Sequence, residues 1–195
     1  MPLKFFALWS TAASALIAGV VGQPLDVRRA NTPSDFRLFA YGPKESGIGG
    51  FPVFHMEGLA YTALNSSDST SSSAEEVSFT LETSGSLVAT IGGNSTATNG
   101  TTFLHVPSTS GNVGFTTAAG NSSAGTDAFG LYGGMLYLRA QEGGMETQWY
   151  AVAADTAGDG QLWNIKWNVS EIEAAGDGVF PVAIRTTGPD GELAE

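Results

Sequence analysis

The stretch AFGLYGGMLYLRAQEGGMETQWYAVA, residues 128–153, decides the fold. Gly133-Gly134 and Gly143-Gly144 each suit a two-residue hairpin loop, which needs positive φ at its centre. Placed there, the first turn sets Tyr132 opposite Met135 and Gly130 opposite Tyr137, and the second sets Leu138 opposite Trp149. One face then collects Phe129, Leu131, Leu136, Leu138, Trp149 and Ala151. The other carries Gly130, Tyr132, Met135, Tyr137, Arg139, Gln141, Glu146, Gln148 and Tyr150. Two turns placed independently agree on which face is apolar, and a one-residue slip in either would exchange the faces. This register covers Gly130 with the Tyr137 ring and puts Arg139 diagonal to Glu146, a surface pair.

The same alternation extends outward. In the run 77–82, Val77, Phe79 and Leu81 point inward, while Ser78, Thr80 and Glu82 point to solvent. Further short strands are expected at 36–41, 51–56, 59–64, 87–91, 102–106, 114–117, 161–167 and 179–186, divided by Gly, Ser, Thr and Asn. In 161–167, Trp163, Ile165 and Trp167 continue the core face, and Asn164 and Lys166 point out with Asn168. Phe180, Val182 and Ile184 form the last core row, with Arg185 outward. No long segment has helical periodicity. The expected class is therefore all-β: an antiparallel sandwich or jelly roll of about ten or more short strands, with a hairpin meander at 128–168.

The N-terminus points to export. Lys4 precedes an uncharged, mostly apolar run from Phe5 to Val21, and cleavage is expected after Gly22. Residues 1–22 are thus read as a signal peptide and 23–34 as a flexible segment, in which Arg28-Arg29 is either a processing site or two solvated arginines. Residues 35–187 are read as one β domain and 188–195 as a polar tail with no hydrophobic stretch for a lipid anchor. The chain has no cysteine, so apolar burial rather than disulfides must hold it. With 8 basic and 19 acidic residues its net charge is −11, which disfavours nucleic acid and anionic membrane as partners. Asn65, Asn94, Asn99, Asn121 and Asn168 each head an Asn-x-Ser/Thr acceptor for N-glycosylation. A glycan cannot sit in a core, so Asn168 also marks an outer face.

Chemistry-bearing constellations are sparse. Glu142 and Glu146 fall on opposite faces in this register, and Glu75-Glu76 adjoins a Ser-rich tract, so no acid pair for glycoside hydrolysis stands out. His55 and His105 are the only histidines, and both sit in apolar strands. Each reads as a half-buried strand residue rather than as a catalytic base. No cofactor or metal is implied: Asp155 to Gly160 resembles the start of a calcium loop but lacks its later ligands. The run Gly47-Ile48-Gly49-Gly50 reads as a flexible turn, with Pro52 where a dinucleotide fingerprint needs glycine. The outward tyrosines are more informative. Tyr132, Tyr137 and Tyr150, with Gln148 and Arg139, combine rings for sugar stacking with donors for hydroxyl groups. The alternative role of these tyrosines is to stabilise the sheet through cross-strand pairs.

Several segments resemble a family of small secreted fungal proteins. They are residues 47–54 with 57–61, Glu146 to Ala151, Leu162-Trp163 with Lys166 to Asn168, and Pro181 to Arg185. The resemblance implies an ascomycete source and no particular activity. The functional expectation is an extracellular, non-enzymatic glycoprotein that binds cell-wall or host polysaccharide, with no nucleic-acid or membrane partner. The alternatives are a polysaccharide hydrolase and a structural or immune-masking surface glycoprotein.

Overall fold

The computed structural model describes residues 35–63, 74–93, 101–117, 128–140, 142–154 and 162–189. They form fifteen antiparallel strands, a 3-10 turn at Lys44–Ser46 and one short α-helix. In chain order the strands begin with β1 (Phe39–Tyr41), β2 (Gly49–Met56), β3 (Leu59–Ala63), β4 (Glu75–Leu81), β5 (Leu87–Ile91), β6 (Thr102–His105), β7 (Gly111–Asn112) and β8 (Gly114–Thr116). Then follow β9 (Phe129–Tyr132), β10 (Met135–Arg139), β11 (Met145–Glu146), β12 (Trp149–Ala153), β13 (Leu162–Trp167), α1 (Glu171–Ala174), β14 (Val179–Pro181) and β15 (Ala183–Arg185). The all-β expectation holds, and each expected run contains a strand, with 179–186 divided into two, β14 and β15.

The hairpin β2–β3 is the hub. Strands β2, β4, β5, β6, β8 and β3 pair in sequence, and β2–β3 pairing closes them into a six-stranded ring. Long β2 also pairs through its first half with β1, which continues to β15, β10 and β9. On the other edge of the hairpin, β3 pairs with β13, which continues to β12 and β14. These two extensions are called here the β10 sheet and the β12 sheet. Residues 179–185 join them, because the chain leaves β12 at Pro181 and reaches β10 by Arg185, with Val182 buried at the corner. Bends that carry a strand from one layer to the next are the usual corners of packed sheets.

Between the two sheets lies the main core. Leu136, Leu38 and Ile184 of one layer meet Trp149, Ile165 and Trp167 of the other. The Trp149 Nε1–H donates to the Leu136 carbonyl at 3.2 Å, which pins one layer to the other. Trp149 also meets Trp167 edge-on, with ring centroids 4.8 Å apart. Trp149, Trp163 and Trp167 are all buried, as the alternation of the sequence requires.

The meander differs from expectation beyond its first hairpin. β9 and β10 pair as read, Tyr132 with Met135 and Tyr137 with Gly130. The second turn, however, spans residues 140–144: the amide of Ala140 donates to the Gly144 carbonyl and that of Gly143 to the Ala140 carbonyl. Leu138 therefore faces Glu146, and Arg139 faces Met145. Arg139 and Glu146 have opposite parity, so their expected pair does not form. After two residues of β11 the chain crosses to the other sheet, where Trp149 pairs with Trp167 rather than with Leu138. The apolar set was right because these residues face one another across the core instead of lying side by side.

Asn164 is a second correction. It is buried, at 8% exposure, between its partners Tyr61 and Val152. Phe54, Met56, Ala63 and Leu162 form a second apolar cluster away from the main core. β13 thus has apolar packing on both faces, which simple alternation cannot anticipate.

Candidate functional site

The five expected platform residues do not converge. Tyr132, Tyr137 and Arg139 lie on the outer face of the β10 sheet, opposite in parity to buried Leu136 and Leu138. Tyr150 belongs to the β12 sheet, paired with Lys166 and Pro181, and Gln148 lies just before that strand. Because Trp149 and Ala151 point into the shared core, Tyr150 looks out on the opposite side. The single platform is corrected to two separate faces, and the cause is the crossover after β11.

The outer face of the β10 sheet gains partners that lie far away in sequence. Across strands β9, β10, β15, β1 and β2, one row reads Tyr132, Met135, Arg185, Phe39 and Pro52. The next row places Tyr137 beside Gly130 and Tyr41 beside Ala183. Two rings in this second row pack against glycine. A Cβ on Gly130 would come within 2.3 Å of the Tyr137 ring, and one on Gly50 within 2.8 Å of the Tyr41 ring. Both rings therefore occupy space that only glycine leaves free. Gly50 also has a φ of +88° next to an irregularity in β1–β2 pairing. Tyr137 reaches Gly130 of β9 and Tyr41 reaches Gly50 of β2, with Ala183 of β15 beside Tyr41. The strip of this face around small Ala183 is called here the trough.

The trough is fixed by more than packing. The Tyr41 hydroxyl donates to the Thr187 carbonyl at 2.9 Å, and the Arg185 guanidinium lies 5.8 Å from the Tyr41 ring centroid. Such a cation–ring contact contributes about 0.5–1 kcal/mol when exposed. Tyr132 is 67% exposed and Met145, beside Arg139, is 57% exposed. No strand position on this face carries a carboxylate. Phe39, Tyr41 and Arg185 were missed as site residues because β1 and β15 meet only in the folded chain. Their signal was the shared parity of Phe39 and Tyr41 and the outward Arg185.

Elsewhere several polar groups are engaged locally. The His55 Nε2 accepts from the Gly58 amide at 3.1 Å, which leaves Nδ1 to donate to the Glu75 carboxylate at 3.0 Å. Phe115 meets the same ring edge-on. Nε2 holds the β2–β3 turn and Nδ1 ties β2 to β4, so this histidine is not poised as a base. Glu76 pairs with Arg37 and Glu173 with Lys166. Among the described residues no three His, Asp or Glu side chains gather as a metal site. A void of about 10 Å³ in the main core is lined only by apolar side chains, among them Leu38, Leu136, Trp149 and Ile184. It has no polar partner for even one water.

Asn168 is exposed and adopts φ +49° just past β13. Its amide donates to the Gln148 carbonyl, placing the acceptor sequence beside β12. Ser170, the hydroxyl residue of that sequence, caps α1 by accepting from the Glu173 amide at 3.2 Å. Asn65, Asn94, Asn99 and Asn121 lie outside the described residues, as do Gln141, the Asp155–Gly160 stretch and the first 34 residues. Comparison of the chain with protein-family models, curated proteins and solved structures finds no match.

Proposed function

We propose that this chain is a secreted N-glycoprotein that binds extracellular polysaccharide, without turning it over, through the outer face of the β10 sheet. The observation that carries this reading is the pair of glycine-packed rings, Tyr137 and Tyr41, with Ala183 and Arg185 alongside. Sugars offer a C–H face for stacking and a rim of hydroxyl groups for hydrogen bonds. A ring lying along a sheet, with a guanidinium at its side, serves both. An open trough also suits a polymer, which has no end to enter a pocket.

Binding is favoured over hydrolysis by the carboxylates. Of the candidates weighed for catalysis, Glu75 is held by His55, Glu142 is exposed in a turn, and Glu146 faces away from the trough. None flanks the trough as a hydrolytic pair would. Retention of the purified secreted chain on insoluble chitin, β-glucan, mannan and polygalacturonate tests the proposal. At least one polymer should retain the wild type, and Tyr41→Ala with Tyr137→Ala should abolish retention. A wild type retained by none would end it.

A further inference from the structure

We infer that the polysaccharide is anionic, its carboxylate groups pairing with Arg185 and Arg139. This rests on the polysaccharide-binding reading of the same face and names the ligand class. The starting point is an imbalance. In a chain with 19 acidic and 8 basic residues, a cation is expected to find a carboxylate. Arg37 and Lys166 do, with Glu76 and Glu173. Arg139 and Arg185, like Lys44, do not among the described residues, and both arginines are exposed on the outer face of the β10 sheet, whose strand positions hold no acid.

Their placement suits a polymer. Arg185 pairs with Met135, and Arg139 lies four residues further along β10, so the two positions are separated by roughly 14 Å along the strand. Tyr137 stands between them. A saccharide chain running along β10 would meet a guanidinium, a flat ring and a second guanidinium in turn. A guanidinium donates two parallel N–H groups, a fork that fits a carboxylate and not a lone hydroxyl. Arg185 is already held over the Tyr41 ring, so less freedom is lost when its partner arrives.

The net charge of −11 opposes a polyanion at a distance, yet that repulsion is screened beyond about 8 Å at physiological salt. Contact is governed by the local face. A second copy of this chain is a poorer occupant, since face-to-face pairing would set four guanidiniums together without an acid. Nucleic acid asks for a larger set of phosphate contacts than two arginines supply.

The test compares the full secreted chain on polygalacturonate, on the same polymer with its carboxyl groups methyl-esterified, on neutral β-glucan and on poly-glutamate. Wild type should bind free polygalacturonate at least about tenfold more tightly than the esterified form, as expected when charge-assisted hydrogen bonds are lost. Arg185→Gln and Arg139→Gln should each weaken binding by about tenfold or more. Arg185→Lys should recover only part of that, keeping charge without the fork. Equal binding to free and esterified polymer, or to β-glucan, would overturn the anionic assignment and leave the polysaccharide-binding reading standing. Poly-glutamate held as tightly as polygalacturonate would mean that charge alone, or an acidic protein, is recognised, and would also overturn it. Binding to none of the polymers would sink both. The esterified arm needs no variant, so a substitution that failed to fold would not spoil the comparison.

Discussion

The two outer faces of this molecule are built from similar materials and differ in what surrounds them. On the β10 sheet, Tyr137 and Tyr41 pack on glycines beside two arginines without acid partners among the described residues. On the β12 sheet, Tyr150 sits between Pro181 and Lys166, and Lys166 is tied to Glu173 at 2.6 Å. The exposed acceptor Asn168 is hydrogen-bonded next to Gln148 on that same side. One face thus has rings beside cations that have no acid partner among the described residues. The other has its cation neutralised and a glycan acceptor at its margin. An exposed tyrosine by itself does not make a binding surface; the charges and side chains around it decide.

The largest effect belongs to the layer that separates these faces. Trp149 is 1% exposed and donates across the core to Leu136, so Trp149→Ala should cost about 3–5 kcal/mol in urea unfolding through the cavity and the lost bond. A loss below about 1 kcal/mol would mean that the two faces do not share this core. Next comes Gly130→Ala. Its methyl would meet the Tyr137 ring, so the substitution should cost about 1–3 kcal/mol and tilt the ring off the sheet. Polysaccharide retention should fall with it; an unchanged melting temperature and retention would show that the flat ring is unimportant. Smaller still, Glu173→Ala should lower stability by no more than about 1 kcal/mol, since Lys166 and Glu173 are partly exposed. Peptide mapping of secreted material should find a glycan on Asn168. A bare Asn168 throughout would remove the main difference in shielding between the two faces.

Much of the fold was legible because alternation and turn chemistry are local. The Gly133-Gly134 hairpin and its register could be read directly, and so could the burial of Phe129, Leu136, Leu138, Trp149 and Ala151. What could not be read was which sheet each strand joins. The same alternation results whether Trp149 lies beside Leu138 or faces it across a core, because burial fixes parity and not partners. The second glycine pair misled for a related reason: a two-residue turn and the turn at 140–144 both place a glycine at positive φ, here Gly143 at +89°. Asn164 was misread because β13 is buried on both sides. The candidate site shared this limit. Tyr137 over Gly130 was visible within one hairpin, whereas Tyr41 and Arg185 reach the trough only through pairing of β1 with β15, across most of the chain.

The most direct test sets one tyrosine of each face against the other. Tyr137→Ala and Tyr150→Ala remove the same side chain from half-buried strand positions, and each should lower stability by about 1 kcal/mol or less. Both proteins are to be measured by affinity electrophoresis against the polymer that retains wild type best. Tyr137→Ala should lose retention and Tyr150→Ala should migrate as wild type does. Equal loss in the two variants, or loss confined to Tyr150→Ala, would contradict the assignment of binding to the β10 sheet.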